Sequence, residues 1–360
     1  MTKANTQIDA LTGMRGIAAW FVVLYHIRAA FPESVPHWIV ATLSKGYLAV
    51  DLFFVLSGFV MWLTYGDKFQ KDGLAAAPQF LWRRIARIYP LHFLIILATM
   101  AYAATLAYAG KPNGVQYPFE ELPLHFLLIQ NWWLTDVLTW NDPSWSISAE
   151  LAAYILLPFV AVTLFRKDWS PAASIAGAVV LALALHLWFL AHGEDTIGRH
   201  IVWHGLPRCF AGFFAGVFMA MIWRARPSGP TTFTALSVSL SAFAMFTLGM
   251  APETLAMPVA FTALVYVLAA TSAAPRNPLC GRFVLHLGDV SYSTYLGHFL
   301  LWIVFKHVFV DDPKNVPLHL IGLYLLSVYL SSILLYRLVE APGRSFLQSI
   351  GKRKAAPALT

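Results

Sequence analysis

The length of its apolar runs constrains this chain more than any other feature. Blocks of Leu, Ala, Val and Phe recur along its 360 residues, and several exceed the ~18 residues that reach across a bilayer core about 30 Å thick. A helix buried in a water-soluble core has no need of such lengths. Charged residues make up 12% of the chain and hydrophobic residues 58%; a soluble domain carries about twice that charged fraction to cover its surface. Lipid is therefore the expected solvent. The expected fold is all-α, a polytopic membrane bundle of about ten transmembrane helices.

Reading the apolar blocks between polar or Pro/Gly breaks predicts spans over 12–31, 46–66, 80–108, 145–165, 171–191, 204–224, 231–250, 254–272, 286–309 and 317–340. A further apolar segment, Leu122 to Leu134, is too short to cross and reads as re-entrant or interfacial. One transmembrane domain over residues 1–345 is expected, followed by a basic cytoplasmic tail over 346–360. The first block is entered through LTGMRG with no small-residue cleavage pattern behind it, so it is expected to stay as the first span rather than leave as a signal peptide. No internal repeat or low-complexity tract stands out.

Short cytoplasmic loops collect Lys and Arg, which gives an independent test of the span order. One set of alternate loops and ends holds Lys3, Lys68, Lys71, Arg83, Arg84, Arg166, Lys167, Arg224, Arg226, Arg276, Arg282, Arg344, Lys352, Arg353 and Lys354. The opposite set holds Lys45, Lys111, Arg199 and Lys314, outnumbered by acidic residues such as Glu120, Glu121, Asp136, Asp142, Glu194 and Asp195. With ten spans the alternation holds at every loop, so both termini are expected in the cytoplasm. The net charge of +7 is spread over these loops and forms no continuous stripe, which excludes a nucleic-acid surface. Two cysteines, Cys209 and Cys280, offer neither a disulfide framework nor a thiolate metal site, and no H-E-x-x-H spacing suggests zinc, so no metal is expected.

Ionisable side chains inside spans cost at least about 2.5 kcal/mol each on insertion scales and call for a partner, a cavity or a function. His26, Asp51 and Glu150 stand out. Each falls about five residues inside the outer end of its own span, roughly 7 Å below the surface, so three helices place an imidazole and two carboxylates in one layer. An imidazole oriented by a carboxylate can take the proton of a hydroxyl attacking an acyl carbonyl. His26 is the expected base, with either Asp51 or Glu150 holding its ring. Taken singly, each of the three is more simply read as a hydrogen-bonded bundle residue, and it is their shared depth that favours a function.

Arg15 precedes His26 by eleven residues, three turns plus about 20° and a rise of roughly 16 Å, so both face one groove. Arg84 and Arg87 in LWRRIARIYP lie near the inner end of the third span, where guanidinium groups can grip phosphates or mark the membrane boundary. His298, in SYSTYLGHFL, falls nearer mid-membrane and can line the same cavity or pack. Tyr292 and Tyr295 read as packing or hydrogen-bonding residues, His204 and Arg208 as acceptor contacts or interfacial residues. Trp132, Trp133, Trp140 and Trp145 cluster at the outer boundary as an aromatic belt would.

At these residues the sequence resembles the acyltransferase-3 family of membrane acyltransferases. The likeness lies in RGIAAWFVVLYH, with Arg15 and His26 in an Arg-x10-His arrangement, in GYLAVDLFFVLSGFVM, in RRIARIYPLH and in WSISAELAAYILLPF, supported by SYSTYLGHFLL and Glu340-Ala341-Pro342. It runs from about residue 8 to residue 345. The resemblance implies a ten-span domain moving an acyl group, commonly acetyl, from acyl-CoA to a hydroxyl, often on a surface or secreted glycan. By motif, the family's essential Arg and His fall on Arg15 and His26, its aspartate on Asp51, and its Trp-Ser and Glu on Trp145, Ser146 and Glu150. Ala49 departs from the glycine usual before Val-Asp, which bears on acyl-chain preference. No soluble domain is expected after the bundle, so a fused hydrolase is not expected.

The scheme these readings imply puts acyl-CoA on the cytoplasmic side, its phosphates near Arg15, Arg84 and Arg87 and its thioester at His26. The glycan or lipid-linked glycan acceptor enters from outside against Trp145, Ser146 and His298. The setting is a bacterial inner membrane. A small acceptor such as a macrolide, or less readily a proton-coupled transporter or a scaffold, are the alternatives; repeated halves and broken helices typical of transporters are not evident.

Overall fold

A computed structural model of the chain describes residues 8–111, 113–225 and 228–354, the side chains of 352–354 excepted. Lys3 and Arg226, used above for orientation, lie outside the described residues, as do residues 355–360 of the expected tail. Among the described residues the structure is helical throughout, with no strand. The helices are α1 (Asp9–Ile27), α2 (His37–Leu43), α3 (Ala49–Asp72), α4 (Ala77–Tyr108), α5 (Leu122–Leu127), α6 (Ser144–Thr163), α7 (Pro171–Ala191), α8 (Ile201–Arg224), α9 (Gly229–Thr247), α10 (Glu253–Thr271), α11 (Arg282–Asp289), α12 (Ser291–Phe309), α13 (Leu318–Leu335) and α14 (Ala341–Lys354), with a π-helical turn, Tyr336–Glu340, before the last. Seven stretches are long and apolar enough to cross a membrane, one of which, His37–Tyr108, contains both α3 and α4.

Helix boundaries follow local chemistry. Ser170 and Ser228 cap α7 and α9, their hydroxyls accepting the backbone N–H of Ala173 and Thr231, and each cap is followed by proline in the first turn, where no intrahelical N–H is lost. The apolar segment at 122–134 is helical only to Leu127. Leu128 adopts a left-handed φ of 57°, Trp133 and Trp140 repeat it at 59°, and the chain from 128 to 143 is an irregular loop.

The described chain forms two compact units. The first comprises the chain up to Ala18, Tyr47–Ala76 and Ile155–Asp289. Its centre is the crossing of α3 and α8, which run in the same direction. Apolar lipid gives helices no hydrophobic reason to associate, so close packing has to hold them, and small residues let backbones approach. A Cβ on Gly216 would lie 2.0 Å from the Val55 carbonyl oxygen, and one on Gly58 would lie 1.7 Å from that of Phe213. Ion pairs fasten this crossing at two levels: Arg208 to Asp51 and, sixteen residues along both helices, Arg224 to Asp67.

The second unit comprises Ala19–Gly46, Ala77–Tyr154 and the chain from Val290. Within it Val23, Ile27, Trp302, Phe305, Tyr324 and Val328 form one buried cluster, joining the end of α1 to α12 and α13. Ile88, Leu91, Ile95, Leu128, Ile147 and Leu296 form another, which seats α4 against α6 and α12. The indole of Trp82 donates to the Leu347 carbonyl (2.8 Å), tying α14 to the start of α4.

Candidate active site

In the second unit the structure brings His26 and His298 together. His26 Nδ1 lies 2.9 Å from the Val22 carbonyl oxygen and 3.2 Å from His298 Nε2; His298 Nδ1 lies 3.1 Å from the Thr294 carbonyl oxygen. A carbonyl only accepts, so both Nδ1 atoms carry protons. The His26 Nδ1–H is then shared between Val22 and the lone pair of His298 Nε2. His26 Nε2 is left as a bare acceptor, with no hydrogen-bond partner among the described residues. Tyr25 and Phe299 wall the ring edge-on at 5.1 and 5.3 Å between centroids. The Tyr324 hydroxyl donates to the His298 carbonyl (3.0 Å), which holds the second histidine's backbone.

The contacts extend from His298 to the start of α6. The rings of Tyr295 and His298, one turn apart on α12, are 6.3 Å apart, and the Tyr295 hydroxyl lies 2.7 Å from Ser146 Oγ. Both hydroxyls also reach the Pro143 carbonyl, at 3.2 and 3.0 Å. Trp145 and Ser146 are buried. Glu150, one turn further along α6, accepts from the Tyr154 hydroxyl at 2.6 Å.

Asp51 is buried in the first unit and its carboxylate is met bidentately, Oδ1 by Arg208 Nε at 3.1 Å and Oδ2 by Nη2 at 2.8 Å. Planar fork against planar carboxylate is the strongest ordinary ion-pair geometry, and burial strengthens the attraction while raising the cost of losing either partner. Arg15 donates Nη2 to the Gly288 carbonyl oxygen (3.1 Å). In the second unit Arg87 pairs with the fully buried Glu340, whose other oxygen accepts from Ser293 Oγ at 2.7 Å; the guanidinium also lies over the Tyr292 ring at 5.6 Å. Arg84 sits half-buried three residues before Arg87 on α4.

The partners of these residues were not legible beforehand. Arg208, expected as an interfacial or acceptor-contacting residue, is the counter-ion of Asp51. Glu340 entered only through its motif, and it neutralises Arg87. Tyr295, expected to pack or hydrogen-bond between helices, does hydrogen-bond, and it links Ser146 to His298. Nothing in the spacing of a helix that is apolar all round says which face meets which neighbour.

The elements and this site define a multi-pass helical membrane protein with an imidazole pair among polar residues of its helices. The chain belongs to the acyltransferase-3 family: the family model described as Acyltransferase domain matches residues 8–337. The chain is therefore an acyltransferase. It is 29% identical over 323 residues to Acyltransferase MdmB of Streptomyces mycarofaciens, covering 84% of this chain and 80% of that protein. It is 24% identical over 370 aligned positions to a Staphylococcus aureus (strain COL) protein named as a putative O-acetyltransferase, covering 95% of this chain and 58% of that protein. A shorter match, 39% over 105 residues, joins it to Protein 2 in the picA locus of Rhizobium radiobacter. The chain thus spans a little over half of the staphylococcal relative. No solved structure matches.

Proposed function

We propose that the chain is an O-acyltransferase that moves an acyl group, acetyl foremost, from cytoplasmic acyl-CoA to a hydroxyl of a glycan on the outer side of a bacterial inner membrane, with His26 as general base. In this reading ten helices span the bilayer and both termini are cytoplasmic. The observation that carries it is the bare Nε2 of His26, an unprotonated imidazole nitrogen fixed in its tautomer by the hydrogen bonds at Nδ1. The acceptor O–H gives its proton to Nε2 as its oxygen attacks the thioester carbonyl. The C–S bond then breaks, and the departing thiolate takes the proton back from the imidazolium to leave free CoA and the ester. His298 Nε2 steadies the charge on the ring by accepting from Nδ1–H, and Glu150, which accepts from Tyr154, is the carboxylate assigned to the same layer. Asp51, matched by Arg208, serves in this scheme by holding the α3–α8 crossing.

Arg15, Arg84 and Arg87 are the proposed phosphate contacts, Arg87 being held in place by Glu340. In this reading the donor's nucleotide stays at the cytoplasmic side and its thioester reaches His26. Trp145 and Ser146 border the acceptor, and His298 supports the base. The test is transfer from labelled acetyl-CoA by purified protein in liposomes: His26→Ala, present at wild-type level, should lose about 10²–10⁴-fold. Full activity in that variant would remove His26 from the reaction.

A further inference from the structure

In the first unit, the short connection from α7 to α8 gathers imidazoles around one carboxylate. His200 immediately precedes α8 and His204 lies one turn into it. In the run HIVWH the two rings, four residues apart, come to the same side of the helix start, 6.4 Å between centroids. Glu194 reaches them from the connection, its carboxylate accepting from His200 Nδ1–H. Donor atoms of Glu194, His200 and His204 all lie within 4.8 Å of one another. The side chain of Glu194 and His204 are almost wholly buried, and His200 is exposed. A further imidazole stands beside them. His192 is 5.4 Å from His204 between centroids, and its Nδ1–H donates to the Trp188 carbonyl at 2.7 Å, which leaves a lone pair on Nε2. The H-E-x-x-H spacing is absent because the carboxylate comes from the connection and not from within the helical turn.

Two imidazoles and a carboxylate form the donor set of a borderline divalent ion; calcium or magnesium calls for oxygen donors throughout. At bond lengths of about 2.1 Å the donors of a tetrahedral ion stand about 3.4 Å apart, so this set closes with movements of about an ångström, which the exposed His200 ring can make. The connection itself is braced. Thr196 Oγ1 and the Ile197 N–H donate to the buried Glu253 at the start of α10, at 2.5 and 3.0 Å, and the Tyr47 hydroxyl donates to the same carboxylate. Nearby guanidinium groups have carboxylates of their own, Arg199 with Asp195 at 3.4 Å and Arg208 with Asp51 at 2.8 Å, which leaves Glu194 to the imidazoles. The Trp188 indole donates to His204 Nδ1 at 2.9 Å. An indole N–H only donates, so Nδ1 holds the lone pair and Nε2 the proton. A metal on either nitrogen displaces that hydrogen bond, by taking the lone pair or by sending the proton to Nδ1. Its entry between Glu194 and His200 likewise expels the proton they share.

We infer that Glu194, His200 and His204 bind a divalent transition-metal ion, zinc foremost, with His192 in reach as a fourth ligand and water completing the coordination on the exposed side. The ion clips the connection to the first turn of α8. None of this rests on the acyl-transfer reading. The test uses the full chain without a polyhistidine tag, in detergent and cleared of metal with a chelator, titrated with zinc by calorimetry. The chain should take up a single zinc ion with micromolar or tighter affinity. His200→Ala and Glu194→Gln each lose a ligand and should weaken binding about 100-fold, at least the cost of losing a supporting partner. His200 is exposed, so its variant keeps the test open if a change at the more buried Glu194 impairs folding. His37→Ala, at an exposed histidine of α2, should bind as the wild type does. With nitrogen-labelled tryptophan, zinc should move the indole N–H signal that is missing from Trp188→Phe. Absence of stoichiometric zinc binding, wild-type affinity in the folded His200→Ala chain, an equal loss in His37→Ala, a Trp188 signal that stands still, or displacement of zinc by calcium or magnesium overturns the inference.

Discussion

At the scale of single residues the molecule is governed by what each buried polar group finds opposite it. Asp142 finds too little: burial, against a hydrogen bond from Gln116, pushes its carboxyl up to about 7 from a usual value near 3.8. Between about pH 4 and pH 7 the folded chain holds a proton there that the unfolded chain has released. Stability therefore falls as pH rises through that window and levels off above it. Asp142→Asn does not titrate, so its melting temperature relative to wild type should rise between pH 5 and pH 8 in one detergent; a constant difference would show that the carboxyl is not buried as described. Asp51 is the opposite case, with both oxygens matched. Asp51→Ala strips the buried Arg208 of its carboxylate and should cost about 3–5 kcal/mol, and adding Arg208→Met should recover part of it in the same thermal assay.

At the scale of elements, close backbone approach matters more than apolarity. The ion pairs Asp51–Arg208 and Asp67–Arg224 are both separated by 157 residues, so α3 and α8 keep one register over roughly 24 Å of shared length. Between them, Gly216 and Gly58 admit the opposing carbonyls, at positions no side chain could share. Gly216→Ala forces the helices apart and should destabilise the chain by about 1–3 kcal/mol. Gly322→Ala on α13 meets open space and should be neutral or gain up to about 1 kcal/mol from helix propensity. Equal melting temperatures for the two variants would mean that the α3–α8 contact is looser than this. The π-helical turn works similarly at another joint, carrying the buried Glu340 to Arg87 and Ser293 before α14 begins.

At the scale of the whole molecule the reading is one of sidedness. A membrane-impermeant thiol reagent, applied to intact cells carrying single cysteines in an otherwise cysteine-free chain, should label positions 136, 194 and 311 and spare 72, 167 and 276. Labelling of both sets, or of neither, would break the ten-span order and with it the separation of donor and acceptor. Both native cysteines, Cys209 and Cys280, can be replaced for this purpose, since neither forms a disulfide in the structure.

The sequence by itself determined that the chain is helical and apolar enough to cross a membrane, because an apolar run of that length in hydrocarbon can satisfy its backbone only within a helix. It also singled out the residues that lipid would not tolerate, His26, Asp51, Glu150, Arg87 and His298 among them, since a charge or imidazole in an apolar block is visible without any structure. The tertiary fold decided whom each of them meets: His298 for His26, 272 residues away, and Glu340 for Arg87, 253 residues away. Those pairings depend on the rotation and crossing of helices that are apolar on every side and so carry no facing signal. The contact of His125 with Thr139 across the 128–143 loop was equally invisible, because that loop turns through left-handed residues, Leu128 and Trp133, that no local propensity of Leu or Trp announces.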